Sequence, residues 1–227
     1  MNKFIVGKLD GYFAGHKLSS FKKGAALVIL GEEPEAVFYL KEGYVRMSTI
    51  LLSGNELTLN IYKPGSLFPM FWALGDVANN YAFEAMTEAQ IYKVPKSEVT
   101  KYLQENPDVS FDLIKRILAG VDGLLTNYHH LLVGDADSRV ASAILIAAKR
   151  FGDETKEGTL IDLKLTHQDI ANLAGISRET ASIAIGKLLR EEILKQTKRK
   201  FVVLNMNKLH KKTDIYAEDS QNDPTIL

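Results

Sequence analysis

From about Ser20 to Pro95 the chain is cut every few residues by a turn signal, and short apolar runs fill the intervals. The cuts are Lys23-Gly24, Gly31-Glu32-Glu33-Pro34, Glu42-Gly43, Ser53-Gly54-Asn55, Pro64-Gly65 and Asn79-Asn80. Between them stand Ala26–Leu30, Val37–Leu40, Tyr44–Thr49, Leu57–Tyr62, Tyr81–Ala85 and Gln90–Val94, rich in Val, Ile, Tyr and Phe. Such side chains fit a pleated, half-buried surface, and glycine, proline and asparagine supply the turn conformations. The even spacing predicts a small β-sandwich or barrel. Ser53-Gly54-Asn55 reads as a hairpin connection.

The period then changes. Lys96–Gln104 reads as a short helix, and Asn106-Pro107-Asp108 restarts the chain with proline near a first helical position. After it Leu113, Ile117, Val121, Leu124, Tyr128 and Leu131 recur at helical spacing, an apolar seam over a helix of roughly 37 Å. A seam this long outreaches a small β domain, so a dimer coiled coil is expected, with packing on the chain's own β domain as the alternative. Gly120 and Gly123 lower helix propensity and allow a partner to approach closely. Gly134-Asp135-Ala136-Asp137 marks a boundary. Beyond it a helix is expected over Ser138–Arg150, a short strand over Leu160–Leu165, two short helices, and a hairpin of Ile193–Lys195 and Phe201–Leu204 around Lys198-Arg199-Lys200. The expected organisation is a β domain over 1–105, a dimerisation helix and hinge over 106–134, a second domain over 135–212 and an acidic, disordered tail over 213–227.

The stretch Leu165–Leu188 has the local chemistry of a helix-turn-helix. Thr166 is placed to cap a first helix, with Asp169 three residues later as in a capping box. Ile170, Ala171, Leu173 and Ala174 form its inner face, and Gly175 supplies a turn where positive φ is cheap. Ile176 plugs the space between helices, Ser177 caps the second helix, and Ala181, Ile185 and Leu188 face inward. That leaves Arg178, Glu179 and Ser182 on an outward face, where a recognition helix meets base edges. Arginine donates two hydrogen bonds to guanine and glutamate accepts from cytosine N4. Lys187, Lys198, Arg199 and Lys200 are candidates for phosphate contact, joined by Thr166, Ser177 and Thr180 at the helix ends. His167 and His210 read as surface residues.

The net charge is zero, 28 basic against 28 acidic residues, which at first argues against a nucleic-acid partner. Divided along the chain, residues 135–212 hold 15 bases and 10 acids, whereas residues 213–227 hold four acids and no base. A basic segment is therefore masked by an acidic tail. The chain contains no cysteine, which excludes disulfides, thiolate-held clusters and a cysteine nucleophile. No apolar run is long enough to span a membrane, and Met1–Lys8 carries no signal-peptide core, so a cytoplasmic location is expected. Residues 20–100 contain no histidine, and there is no nucleophile elbow or phosphate loop. A cupin-type metal site and the common hydrolase and nucleotide-hydrolysing motifs are thus excluded, and no enzyme activity, metal or cofactor is expected.

These pieces, in this order, resemble the CRP/FNR (cyclic-AMP receptor protein / fumarate-nitrate regulator) superfamily over about residues 15–210. The resemblance rests on Phe21-Lys22-Lys23-Gly24, Gly31-Glu32, Phe38-Tyr39-Leu40, Gly43-Tyr44-Val45-Arg46, Tyr62-Lys63-Pro64-Gly65-Ser66-Leu67-Phe68 and Ser177-Arg178-Glu179-Thr180. It implies an α+β chain with an N-terminal jelly roll, a long dimerisation helix and a C-terminal winged helix-turn-helix. It also implies a homodimer that binds a palindromic double-stranded promoter site and contacts RNA polymerase.

The chain departs from that pattern in two places. In nucleotide-binding members Pro-Gly-x-x-Phe continues with Gly-Glu, and an Arg followed by Ser or Thr holds the phosphate further on. Here Phe68 is followed by Pro69-Met70, Asn79-Asn80 fall where the Arg pair would be, and no Arg occurs between Arg46 and Arg116. A buried phosphate would lack its guanidinium partner, so a cyclic nucleotide is not expected. Phe68, Met70, Phe71, Trp72, Tyr81 and Phe83 occupy the region instead. They form either a filled core or a pocket for an apolar or aromatic small-molecule effector. His129 and His130 are adjacent and diverge on a helix, so they do not chelate one metal together, and haem is not expected. Secondly, Ile183 stands where such recognition helices often carry a second Arg. The expected function is a homodimeric, sequence-specific transcription regulator, effector-controlled or constitutively active. The alternatives are a nucleotide-responsive regulator with a degenerate site and an architectural DNA-binding protein.

Overall fold

A computed structural model describes the backbone of residues 3–197 and 200–213, and their side chains apart from residues 3 and 126–133. Residues 3–49 with 58–120 form one compact unit, and residues 50–57 with 121–213 form another.

The first unit is built on two four-stranded antiparallel sheets. One runs β1 (Leu18–Phe21), β8 (Ala89–Val94), β3 (Val37–Glu42), β6 (Leu67–Phe68) in spatial order. The other runs β2 (Ala26–Val28), β7 (Ala82–Ala85), β4 (Val45–Ile50), β5 (Glu56–Tyr62). The central strand β3 is apolar at successive positions because both its faces are covered. Phe38 and Leu40 point into an inter-sheet core with Val45, Met47, Phe68, Phe83 and Ile91. Val37 and Tyr39, one residue out of phase, enter a second core beneath the helices.

That second core closes with α1 (Lys3–Phe13), α3 (Lys96–Glu105) and the long α4 (Pro107–Val133). Ile5, Leu9 and Phe13 recur every four residues on α1 and are all buried there, as are Val99, Leu103, Val109 and Leu113. The Tyr39 ring stacks on Phe13 at 4.5 Å and its hydroxyl donates to Asp10 Oδ1 at 2.9 Å. Burial, with the Asp10 carboxylate beside it, pushes the Tyr39 phenol above its ordinary range. Gly43 makes the tight entry to β4. It has φ +88°, and a Cβ there would lie 2.3 Å from the Glu88 carbonyl oxygen, so any side chain clashes with backbone.

The second unit begins with α5 (Ala136–Phe151), whose inward Val140, Ile144, Ala147 and Ala148 are buried. Asp135 caps it by accepting from the Ser138 amide at 2.8 Å, and this backbone hydrogen bond holds its carboxyl below the usual range. Strands β9 (Gly152–Thr155), β10 (Gly158–Ile161), β11 (Leu194–Thr197) and β12 (Lys200–Val203) form one antiparallel sheet in the order β11-β12-β10-β9. Two helices, α6 (His167–Ala174) and α7 (Arg178–Arg190), lie between β10 and β11 in the chain, and α8 (Met206–Lys211) follows the sheet. No helix among the described residues is long and apolar enough to cross a membrane.

The long helix corrects the expected seam. Leu113 is 6% exposed and packs with Ile117 against α1 and α3, inside the chain's own β domain. A different stripe faces outward: Phe111, Ile114, Leu118, Val121 and Leu125, at spacings of 3, 4, 3 and 4. Only Val121 is common to both. Leu124 is half-buried, and the side chains of Tyr128 and Leu131 lie outside the described residues. The helix carries two apolar stripes roughly 100° apart, and the inner one belongs to its own core. The expected tail, from Asp214 on, also lies outside the described residues. Helices α1, α8 and the six-residue α2 (Met70–Gly75), and the polar strand β9, were not anticipated from the sequence.

Candidate nucleic-acid interface

Two consecutive caps build the α6–turn–α7 unit. Thr166 N and Oγ1 both donate to Asp169 Oδ2, at 2.8 and 2.6 Å, and the Asp169 amide donates back to Thr166 Oγ1 at 3.1 Å. Three of the groups at this helix start are thereby satisfied locally. Gly175 ends α6 in the left-handed region, φ 61° and ψ 39°, and its amide reaches back to the Ala171 carbonyl. The Arg139 guanidinium, on α5, donates to the Gly175 carbonyl at 3.0 Å and so ties the turn to the preceding helix. Burial lowers the pKa of Arg139. No local signal in the sequence marks Arg139 for this role, because its acceptor lies 36 residues further along the chain. Ser177 caps α7, accepting from the Thr180 amide at 3.2 Å, with its hydroxyl 2.9 Å from that of Thr180.

Ala181, Ala184, Ile185 and Leu188 bury the inner face of α7. Arg178 and Glu179 are exposed at its first turn and make no ion pair among the described residues. Ser182 differs: its hydroxyl lies 2.9 Å from His167 Nδ1 on α6, and the His167 ring stacks on Phe201 of β12 at 6.2 Å. His167 is half-buried, not the surface residue the sequence suggested. It joins the first helix, the second helix and the strand hairpin. His210 is half-buried as well, on α8.

The basic candidates divide. Lys187 pairs with Asp137 and Lys200 with Asp162, while the neighbouring Lys195 pairs with Glu157 at 2.7 Å. These partners lie 38 to 50 residues away in sequence. Thr197 is in register with Lys200, and Lys198 and Arg199 between them lie outside the described residues. Thr166, Ser177 and Thr180 stand at the two helix starts, their hydroxyls engaged in the caps.

The six residues suggested for an effector pocket do not converge on one cavity. Phe68 and Phe83 stack on each other at 5.3 Å inside the inter-sheet core, with Phe38 and Tyr62 against Phe68 at 5.5 and 4.9 Å. Met70 and Trp72 lie on α2 and pack against the other core, beneath the helices. Phe71 is exposed, and its ring lies 6.5 Å from the half-buried Tyr81. The cause is geometric: β6 sends Phe68 inward, and the turn of α2 that follows spreads the next three residues around a helix. Asn79, where a phosphate-holding Arg was sought, is buried, and its side-chain amide donates to the carbonyls of Glu32 at 3.2 Å and Tyr81 at 2.8 Å.

Two family models match the chain. A cyclic nucleotide-binding domain matches residues 18–106, and a Crp-like helix-turn-helix domain matches residues 138–212. Among curated relatives, the global nitrogen regulator of Synechococcus elongatus is 28% identical over 191 residues, covering 83% of this chain and 86% of that protein. Transcriptional regulator SdrP of Thermus thermophilus is 28% identical over 194 residues, covering 84% of this chain and 91% of its own. Among solved structures, a CooA mutant from Carboxydothermus hydrogenoformans superposes with a TM-score of 0.74 at 24% identity, over 90% of each chain. It shows that the two-unit fold is shared.

Proposed function

The chain belongs to the CRP/FNR family of transcription regulators, and from that premise we propose that a homodimer of it reads a twofold DNA site through α7 without a cyclic nucleotide. The observation that carries the DNA-reading half is the start of α7. A cap at Ser177 and a left-handed turn at Gly175 present Arg178 and Glu179, exposed and without ion-pair partners among the described residues. Ser182 joins them at the groove with its hydroxyl held by His167. Thr166, Ser177, Thr180, Lys187, Lys198, Arg199 and Lys200 contact phosphates. Lys187 and Lys200 do so by exchanging an exposed carboxylate for a phosphate. Exposed ion pairs contribute only about 0–1 kcal/mol, so that exchange is cheap. The dimer forms along Phe111, Ile114, Leu118, Val121 and Leu125, whose 3-4 spacing is that of a coiled-coil seam. RNA polymerase is the partner through which such a bound dimer acts.

Arg178→Ala is expected to weaken specific binding by about 1–3 kcal/mol per half-site and to relax one base position. Selection from a randomised duplex library by wild type and variant checks this. An unchanged preference at every position would take Arg178 out of base readout.

The sensor half of the proposal is supported by the aromatic stack that fills the inter-sheet core, and by Asn79, whose amide protons go to backbone carbonyls. Cyclic AMP and cyclic GMP at millimolar concentration are expected to leave the melting temperature unchanged. A ligand at 100 times its Kd would stabilise the native state by about 2.7 kcal/mol, so even a modest rise would overturn this half.

A further inference from the structure

Isoleucine 183 is 62% exposed in the middle of α7. At about 100° per residue, the buried Ala181, Ala184, Ile185 and Leu188 define an inward direction. Glu179, Ile183 and Arg190 lie within about 30° of its opposite. Ile183 thus stands one turn beyond Glu179 on the outward ridge. Gly186, also on that ridge, carries no side chain to shield it, and a Cβ built there meets only the Arg190 guanidinium at 3.5 Å.

Among the described residues nothing in the fold calls for isoleucine at this place. Its side chain is exposed rather than part of the buried core, and a β-branched side chain slightly lowers helix propensity. It cannot donate or accept a hydrogen bond, so it cannot read the polar edge of any base. In the major groove one feature rewards an apolar side chain, the C5-methyl group of thymine. We propose that Ile183 is a specificity-determining residue that packs on a thymine methyl in each half-site, beside the pair read by Glu179. This rests on the DNA-reading assignment of α7 given above.

The test uses the full-length protein and a duplex it enriches from a randomised library. Each thymine of that duplex is replaced in turn by deoxyuridine, which lacks only the methyl. One thymine per half-site is expected to be sensitive. Its replacement weakens wild-type binding about 4-fold, the fold-change of burying roughly one methyl, and about 15-fold when both half-sites are changed. Ile183→Ala is expected to bind the two duplexes equally. A 5-methylcytosine at the same place is expected to be bound better than cytosine by wild type but not by Ile183→Ala. Because the side chain is exposed, the variant keeps the wild-type melting curve, which separates a lost contact from a lost fold. An enriched duplex with no methyl-sensitive position, or with the same sensitivity in both proteins, overturns the proposal and leaves DNA reading standing. A library that yields no enriched duplex overturns both.

Discussion

Leu118→Glu is expected to convert the dimer into a monomer that keeps its fold. Leu118 is 63% exposed on the outer stripe of α4, so the isolated protomer gains little from it. In a twofold seam the same position appears twice. Burying a leucine contributes about 1.5–3 kcal/mol, so the pair is worth about 3–6 kcal/mol, or roughly two to four decades in the dimer Kd at 1.4 kcal/mol per decade. Two glutamates facing each other add to the loss. Sedimentation velocity should report a monomer, and binding to a two-half-site duplex should fall in parallel, while the circular-dichroism spectrum stays that of the folded chain and the melt loses only the concentration-dependent stabilisation that dimerisation supplies. Leu113→Ala, one helix face away and 6% exposed, is expected to behave oppositely. It should lose about 2–5 kcal/mol of stability while the folded fraction stays dimeric. A Leu118→Glu protein that sediments as a dimer would place the interface elsewhere.

This pair of variants also marks where the sequence was and was not readable. The helix-turn-helix was legible because its signals are local: Thr166 and Asp169 close a box within three residues, and Gly175 occupies the one backbone conformation that favours glycine. The strand runs were legible for the same reason. Which stripe of α4 faces its own core was not, because two apolar stripes at overlapping positions give one continuous periodic signal. Only the tertiary partners of Leu113, on the neighbouring α3 and on α1 about a hundred residues earlier, resolve it. Ion pairing was hidden for a similar reason. Lys187 and Lys200 are legible as candidates for phosphate contact, but the carboxylates that pair with them, Asp137 and Asp162, lie far from them in the chain. The half-buried His167 was invisible as a connector, since the Ser182 hydroxyl and the Phe201 ring that hold it come from two other elements.

Phe68→Ala is expected to cost about 3–5 kcal/mol, the range for emptying a buried aromatic site, because the ring is fully buried and stacked on three others. It touches Phe38 across the pairing of β3 and β6, Tyr62 from β5, and Phe83 from β7. Both sheets therefore contribute to its surroundings, and neither can move in without breaking strand pairing. The vacated space should persist as an apolar cavity of the kind that accepts a small aromatic molecule. Benzene or indole is then expected to raise the melting temperature of Phe68→Ala and leave that of wild type unchanged. Phe71→Ala, on the exposed face of α2, serves as the control and should change stability by no more than about 0.5 kcal/mol. The comparison bears directly on sensing. If Phe68→Ala cost less than about 1 kcal/mol, far below the usual range, the interior would have to be loosely filled, with room for an effector in the wild type. A full cost with rescue confined to the variant means that the protein's own aromatic ring occupies the space an effector would need.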